Sequence, residues 1–315
     1  MHPGIYLAGD DQADVFSGID PESLSLCHPA WKKDVALFHP WTARQDASGP
    51  SQQKTWTAEG YGGDACIWIV ETCTSTMEVA RHLIAGGRMA PWSSVMAVRQ
   101  TAGRGQRGRC WISPAGNIYA TLYWRFDDEQ SAPYRHIASL LAGDMLAYVF
   151  RQSGIDAFVK WPNDIVRNNR KICGILVEER EGHLLVGIGV NLVSAPKAAM
   201  LDDDFVLPAA CLDPESASFS PLVFWEKLMT VGRARLEGII RNMPPEQFVR
   251  ELENTMAWIG ADIRVRKSSQ APFKARLLGL SPDGGLKIRS NGHTEVIYTA
   301  TIRPLNMKYA SIPEE

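Results

Sequence analysis

Three arginines and three glycines are interleaved through Gln100-Thr101-Ala102-Gly103-Arg104-Gly105-Gln106-Arg107-Gly108-Arg109-Cys110-Trp111, with no acidic residue among them. Guanidinium groups set so closely repel one another unless an anion lies among them. Their planar forks bind carboxylates and phosphates through paired, charge-assisted hydrogen bonds. The glycines let the main chain approach such a ligand and let the loop change shape around it. A solvated basic loop is the plainer reading, and only the company the loop keeps argues against it.

That company is chemical. Lys160-Trp161-Pro162-Asn163-Asp164 places a lysine at the end of an apolar strand, then a proline that fixes the turn, then two oxygen-bearing side chains. Lys171-Ile172-Cys173-Gly174-Ile175-Leu176-Val177-Glu178 opens on a second lysine and runs into a strand in which Gly174 permits close approach of a ligand. Gly187-Ile188-Gly189-Val190-Asn191 adds two strand glycines before an asparagine. Alone, each of these is equally a turn or a strand end. Gly103-x-Gly105-x-x-Gly108 also satisfies the dinucleotide-fold fingerprint, with Asp127 and Asp128 downstream. That fingerprint needs its glycines to open a helix, whereas Trp111-Ile112-Ser113-Pro114-Ala115-Gly116 leads into another strand.

The elements that must carry these residues follow from periodicity and turn chemistry. Cys66 to Glu71 reads as a buried strand, and Ser75-Thr76-Met77-Glu78 matches a capping box opening a helix that ends at Gly86-Gly87. Strands are expected at Ser93 to Arg99, Asn117 to Phe126, Phe158 to Trp161, Ile172 to Glu179 and Leu184 to Leu192, the last two joined at Glu181-Gly182. Helices are expected at Tyr134 to Arg151, Pro221 to Arg241 and Pro245 to Trp258. Beyond Trp258 come short β runs at 262–267, 273–280, 286–290 and 295–299, with Asp283-Gly284-Gly285 and Asn291-Gly292 as hairpin turns. The reading is a mixed α/β body followed by a small all-β barrel.

Composition narrows the class. At 45% hydrophobic and 22% charged residues the chain is neither disordered nor membrane-biased, and no apolar run approaches the roughly 18 residues of a spanning helix. No secretory signal is visible at the N-terminus, so a cytoplasmic location is expected. Six scattered cysteines without metal spacing read as free thiols. A net charge of -2 argues against wholesale nucleic-acid binding. The first sixty or so residues are acidic, rich in Pro, Gly, Ser and Gln and short of helical periodicity, and read as an irregular appendage, part of which Trp31, Trp41 and Trp56 would pack on the main body.

In order and spacing, the Ser75-Thr76 helix start, the Gln100 to Trp111 loop with Ser113-Pro114, and the Lys160, Lys171 and Gly187 segments resemble the biotin protein ligases over roughly residues 66 to 305. The resemblance implies an α/β (α+β) fold with a mixed-sheet biotin/lipoate ligase-type catalytic domain and a C-terminal SH3-like β-barrel. The corresponding division is an N-terminal extension 1–62 without a helix-turn-helix, a catalytic domain 63–257 and a barrel 258–315. It implies activation of biotin by ATP as biotinyl-5′-AMP, release of pyrophosphate, and transfer to a lysine of a biotin carboxyl carrier protein. Ser75, Thr76 and Gln100 would meet the ureido ring, with Met77, Gly103, Arg104, Gly105, Gln106, Lys160, Gly174, Gly187 and Gly189 completing the biotin site. Arg104 would close over the acid, and Lys160 would bridge its carboxylate and the α-phosphate; these two are the catalytic candidates. Arg107 and Arg109 would take phosphates, Trp111 and Lys171 the adenine side, and Asn163 and Asn191 the nucleotide, with Asp164 offering an oxygen to Mg²⁺.

No nucleic-acid or membrane partner is expected, and a homodimer is compatible with the family. The rival readings are a lipoate or octanoate ligase or transferase of the same fold, and a biotin-responsive repressor. Polar Ser75, Thr76 and Gln100 suit a ureido ring better than an aliphatic tail, and the acidic N-terminal region lacks a basic recognition helix. One position departs from the resemblance: many members carry a basic residue where this chain has Gln106. Restoring that charge with Gln106→Arg is expected to slow escape of free acyl-adenylate, measured by filtration of the enzyme-bound intermediate; an unchanged rate would refute a looser clamp.

Overall fold

The computed structural model describes residues 3–10, 14–45, 54–180, 183–197, 205, 207–212, 219–267 and 271–305; the expected Glu181-Gly182 turn lies outside them. The N-terminal stretch forms β1 (Gly4–Leu7), β2 (Phe16–Ser17), α1 (Pro21–Cys27), α2 (Pro29–Leu37), β3 (Trp41–Gln45) and β4 (Lys54–Ala58). The middle of the chain forms β5 (Cys66–Cys73), α3 (Thr76–Ala85), β6 (Ser94–Gln100), β7 (Ile118–Trp124), α4 (Ala138–Arg151), β8 (Phe158–Lys160), β9 (Asp164–Arg167), β10 (Arg170–Arg180) and β11 (His183–Val190). Helices α5 (Pro221–Lys227), α6 (Arg233–Asn242) and α7 (Pro245–Leu252) lead to β12 (Asp262–Arg266), β13 (Phe273–Leu280), β14 (Leu286–Ser290), β15 (His293–Ile297) and β16 (Thr301–Pro304).

Eleven strands make one mixed sheet in the order β3-β4-β1-β5-β6-β7-β11-β10-β9-β8, with β2 also on β5. Only β1 with β5 and β5 with β6 run parallel. Alternation along the strands sorts the two faces. Trp68, Val70, Val95, Ala97, Tyr123 and Leu185 point to one side, where α3 covers them with Met77, Val79, Ala80 and Leu83. Ile67, Ile69, Met96, Val98, Ile118 and Leu122 point to the other, beneath α4. Burying each such side chain is worth about 1.5–3 kcal/mol, which is what holds α3, and with it the site, against the sheet. The second sheet, β15-β14-β13-β12-β16, is wholly antiparallel and shares its core with the first. Trp161 joins the two directly, donating its indole N–H to the Gly284 carbonyl at 3.0 Å.

Several local expectations are corrected. The first sixty residues are not an irregular appendage: β1, β3 and β4 extend the main sheet, and Ile5, Leu7, Leu24 and Trp31 are fully buried in its core. These short strands lack the Asp-Gly and Asn-Gly turns that mark equally short strands near the C-terminus. Helix α2 turns Ala30, Trp31 and Asp34 inward. The capping box at Ser75 is half made. Ser75 Oγ accepts from Met77 N–H at 3.3 Å, but Glu78 does not return to Ser75, because its carboxylate is held by Arg81 and Arg104. The helix expected from Pro221 to Arg241 is continuous to Asn242 but widens into a π turn at Leu228–Gly232, and β9 and β16 were not foreseen. Among the described residues no helix is long and apolar enough to cross a membrane.

The N-terminal segment is pinned to the body by one carboxylate. Asp34 of α2 is fully buried at the start of α5, where it accepts the Leu222 N–H at 3.0 Å and the Ser220 hydroxyl. It serves as a helix cap contributed from a distant part of the chain, in the position where an anion meets the positive end of the helix dipole. Burial pushes its carboxyl up to about 7, against the opposing pull of these hydrogen bonds. The folded value lies above the unfolded one of about 4, so the stability this group contributes is greatest at low pH and is lost as pH rises toward 7. Asp34→Asn removes that dependence. Urea midpoints measured from pH 4 to 8 are expected to show the wild type losing stability relative to the variant across this window, whereas a constant difference would contradict the assignment.

Candidate functional site

Strand register, rather than sequence proximity, assembles the site. Across β8, β9, β10, β11 and β7 the directly opposed residues are Lys160, Asp164, Gly174, Gly189 and Tyr119. The next row is Leu176, Gly187, Thr121 and Val95. Both rows lie on the α3 face. Neighbouring strands are about 4.8 Å apart, so the first row sets two charged residues and two bare positions along roughly 15 Å of one surface.

The charged end is a triad of buried Lys160 and Asp164 with half-buried Lys171. Lys160 Nζ sits 2.7 Å from Asp164 Oδ2, and Lys171 Nζ sits 2.6 Å from Asp164 Oδ1. Burial alone would raise the Asp164 carboxyl, but the two ammonium groups outweigh it and hold the group below the usual carboxylate range. Burial presses the Lys160 ammonium down toward neutrality, helped by Lys171 and Arg109 and resisted by Asp164. Two cations against one anion leave a net charge of +1 in a place where an unpaired charge is expensive, which is a prepared anion site.

The bare end is a floor of glycine. A Cβ on Gly189 would stand 2.4 Å from the Trp111 indole, and one on Gly174 would stand 2.7 Å from it. The ring therefore lies flat on the sheet because both positions lack a side chain, with the Lys171 ammonium 5.1 Å from its centroid. Its Nε1–H is buried without an acceptor. Beyond the ring, a polar chain closes the recess: Thr121 Oγ1 meets Thr76 Oγ1 at 2.8 Å, Gln100 Oε1 accepts the Thr76 N–H at 2.9 Å, and Gln100 Nε2 donates to Ser113 Oγ at 3.1 Å.

Two adjoining spaces result. A recess of about 50 Å³ is lined by Ser75, Thr76, Met77, Gln100 and the three floor glycines at 174, 187 and 189, under Arg104, Gly105 and Gln106. A cavity of about 450 Å³ is lined by Arg107, Arg109, Lys160, Asp164 and Asn191, with Ala300 and Thr301 arriving from the C-terminal sheet. Gly105, Gln106, Trp111, Asn163 and Lys171 border both. The loop above is a small hairpin, closed by Gly105 N–H to Arg109 O at 2.7 Å and Trp111 N–H to Gly103 O at 2.8 Å, and turning at Arg107 and Gly108 with φ of 60° and 73°.

A profile of the biotin/lipoate A/B protein ligases matches residues 70–192, the span that holds all of these residues but the C-terminal contacts. The chain belongs to the biotin protein ligase family. It is 39% identical over 113 residues to the bifunctional ligase/repressor BirA of Salmonella typhimurium, an alignment covering 34% of this chain and 35% of that relative; the match thus spans about a third of its length. It is 34% identical over 161 residues to the biotin–[acetyl-CoA-carboxylase] ligase of Paracoccus denitrificans, covering 49% of this chain and 66% of the other. The family's fold is shared as well. The Aquifex aeolicus biotin protein ligase, solved with biotin and ATP, superimposes with a TM-score of 0.61 at 21% identity, over 76% of this chain and 99% of that one.

Of the residues expected at a biotin ligase site, all but Gly103 line one or the other space. Gly103 is tucked behind the loop, where its carbonyl anchors Trp111. Three placements differ from the expectation. Arg104 turns its guanidinium outward to Glu78, at 2.5 Å, rather than into the recess. Asp164 has an ammonium on each oxygen, and no group of three or more His, Cys, Asp or Glu is placed to hold a metal among the described residues, so the protein side chains do not fit a Mg²⁺ site. Asn163 and Asn191 spend amide hydrogens on the carbonyls of Ile175, at 2.6 Å, and Ala210, at 3.1 Å, and so act as staples of the walls. Cys173 is buried, and burial pushes its thiol up, away from thiolate chemistry.

Sequence reasoning missed Thr121, whose one signal was a hydroxyl inside an otherwise apolar strand, and Thr301, which nothing in the local sequence marks. Asp164→Asn should leave the buried Lys160 ammonium and the half-buried Lys171 ammonium facing one neutral amide. Loss of one partner from such a cluster costs about 3–5 kcal/mol, readable as a lower urea midpoint at pH 7 with loss of ligand binding.

Proposed function

We propose that the chain is an ATP-dependent biotin protein ligase. The observation that carries this reading is the single row in which the Lys160–Asp164–Lys171 cluster adjoins a glycine floor, at the seam of two spaces. Such a seam suits two substrates that must meet end to end, an acid and a nucleotide. The names of the relatives, biotin–[acetyl-CoA-carboxylase] ligases among them, supply the acid and the acceptor.

In this reading biotin lies in the recess with its ureido ring toward Ser75, Thr76 and Gln100, and the hydrogen bonds between Thr76 and Gln100 are exchanged for bonds to the ring. A polar ring satisfies those groups, whereas an aliphatic tail would leave them unpaired, which is the basis of discrimination. ATP occupies the larger cavity, with Arg107 and Arg109 toward its phosphates. A carboxylate oxygen attacks the α-phosphorus, the bond to the pyrophosphate oxygen breaks, and the electron pair leaves with pyrophosphate. Lys160 lies between the two anions. Its ammonium is desolvated and already oriented by Asp164, so it offsets their repulsion and the charge that grows on the phosphorus oxygens without reorganising. The amine of an acceptor lysine then attacks the acyl carbon and AMP departs. Mg²⁺ accompanying ATP would be held by the phosphates themselves, and no step here depends on a protein-bound metal.

Biotin-dependent exchange of pyrophosphate into ATP, run against lipoate and octanoate, tests the first half-reaction; label transfer to a carrier domain tests the second. Lys160→Ala is expected to cut exchange by roughly two to three orders of magnitude with the circular dichroism spectrum retained. Near-normal exchange in that variant would remove Lys160 from its role, and exchange stimulated by lipoate but not by biotin would replace the substrate.

A further inference from the structure

We propose that Arg104 is one half of a clasp, and that Glu78, Arg81 and Glu178 are positioning residues that hold the glycine–arginine loop down over the recess. The inference rests on the biotin ligase reading of the site and gives Arg104 a different partner, the protein's own carboxylates instead of the ligand's.

The geometry is an alternating ring of four charges. Glu78, in the first turn of α3, receives Arg81 at 2.6 Å on one oxygen and Arg104 at 2.5 Å on the other. Glu178, on β10, receives Arg81 at 2.6 Å and stands 3.9 Å from the far nitrogen of Arg104. Two guanidinium groups and two carboxylates balance to zero, so Arg104 is neutralised where it stands. Glu78 stands on α3 and Glu178 on β10, the two elements whose residues Ser75 to Met77 and Gly174 to Leu176 line the recess. A loop residue bound to both therefore ties the loop to the helix and the strand beside the opening.

The strap governs more than one residue. Gly105 to Arg109 and Gly103 to Trp111 main-chain hydrogen bonds tie the loop into one hairpin, so fixing Arg104 also keeps the Trp111 ring on the glycine floor. With the ring there, Arg104, Gly105 and Gln106 roof the recess, so lifting the hairpin widens the way in for the acid and the way out for the product. The clasp suits reversible opening. Arg104 and Glu78 keep 40% and 44% of their side-chain surface in water, where an ion pair shifts an equilibrium by only about two- to fivefold and salt weakens it.

The test compares wild type, Glu78→Gln and Arg104→Gln by stopped-flow tryptophan fluorescence, following release of biotin and of biotinol, its uncharged alcohol analogue. The expected result is release of both ligands about two- to fivefold faster in each variant at low salt, converging with wild type near 1 M salt. Melting temperatures should be unchanged, which separates a clasp from a general loss of structure. If Arg104→Gln weakens biotin alone while Glu78→Gln leaves release unchanged or slower, Arg104 meets the ligand carboxylate and the clasp is refuted; equal rates in all three proteins refute it too. A second arm uses no ligand. Trypsin should cut after Arg107 or Arg109 faster in Glu78→Gln than in wild type, and equal cutting overturns the clasp whatever the substrate is. Failure of the wild type to bind either ligand, with faster cutting in the variant, would instead overturn the biotin reading and leave the clasp standing.

Discussion

The site depends on the difficulty of burying like charges together. Lys160 and Lys171 come within reach of one carboxylate, and Asp164 answers both at 2.6–2.7 Å. Without the carboxylate the lysines would lose their protons or leave the interior; with two carboxylates the cluster would have no attraction left for a substrate anion. One between two is the arrangement that is stable enough to fold and still positive enough to bind. The hairpin of β8 and β9 fixes this ratio by setting Lys160 directly opposite Asp164.

The same sheet that concentrates charge at one end removes side chains at the other. Gly174 and Gly189 are paired across β10 and β11, so their absent Cβ atoms open one shared depression rather than two separate ones. Trp111 lies in it. Polar residues at the far end, Thr76, Thr121, Gln100 and Ser113, satisfy one another, so they are oriented in advance and can exchange partners without creating a buried unpaired group. Charge, bare floor and polar end are thus three properties of two adjacent rows of a single sheet face.

Around that face the rest of the molecule works as a frame. α3 covers the sheet and carries Ser75, Thr76 and Glu78 at its first turn, so one helix start contributes both to the recess and to the fastening of the loop above it. The C-terminal sheet reaches the larger cavity through Ala300 and Thr301, with Arg107 donating to the Thr301 hydroxyl at 3.1 Å. The N-terminal segment is bound from the opposite side, through β1 in the sheet and Asp34 at the start of α5.

By itself the sequence determined the family, the strands and helices of its central part, and most of the charged, polar and glycine residues that line the two spaces. It could do so because those features are local: an apolar period, a cap, a glycine, a lysine before a proline. It read the first sixty residues as irregular, because their short strands lack the Asp-Gly and Asn-Gly turns that mark equally short strands in the C-terminal sheet and are made by the neighbours they pair with. It gave no sign of the ion pairs of Arg104, because charge composition within the loop takes no account of acids that α3 and β10 bring from 26 and 74 positions away. It offered Asp164 to a metal for the same reason, since the second lysine on that carboxylate arrives through the register of β9 with β10. Which residues carry charge is written along the chain; which charges meet was decided by tertiary structure alone, because Coulomb interactions act through space and the sheet sets the distances.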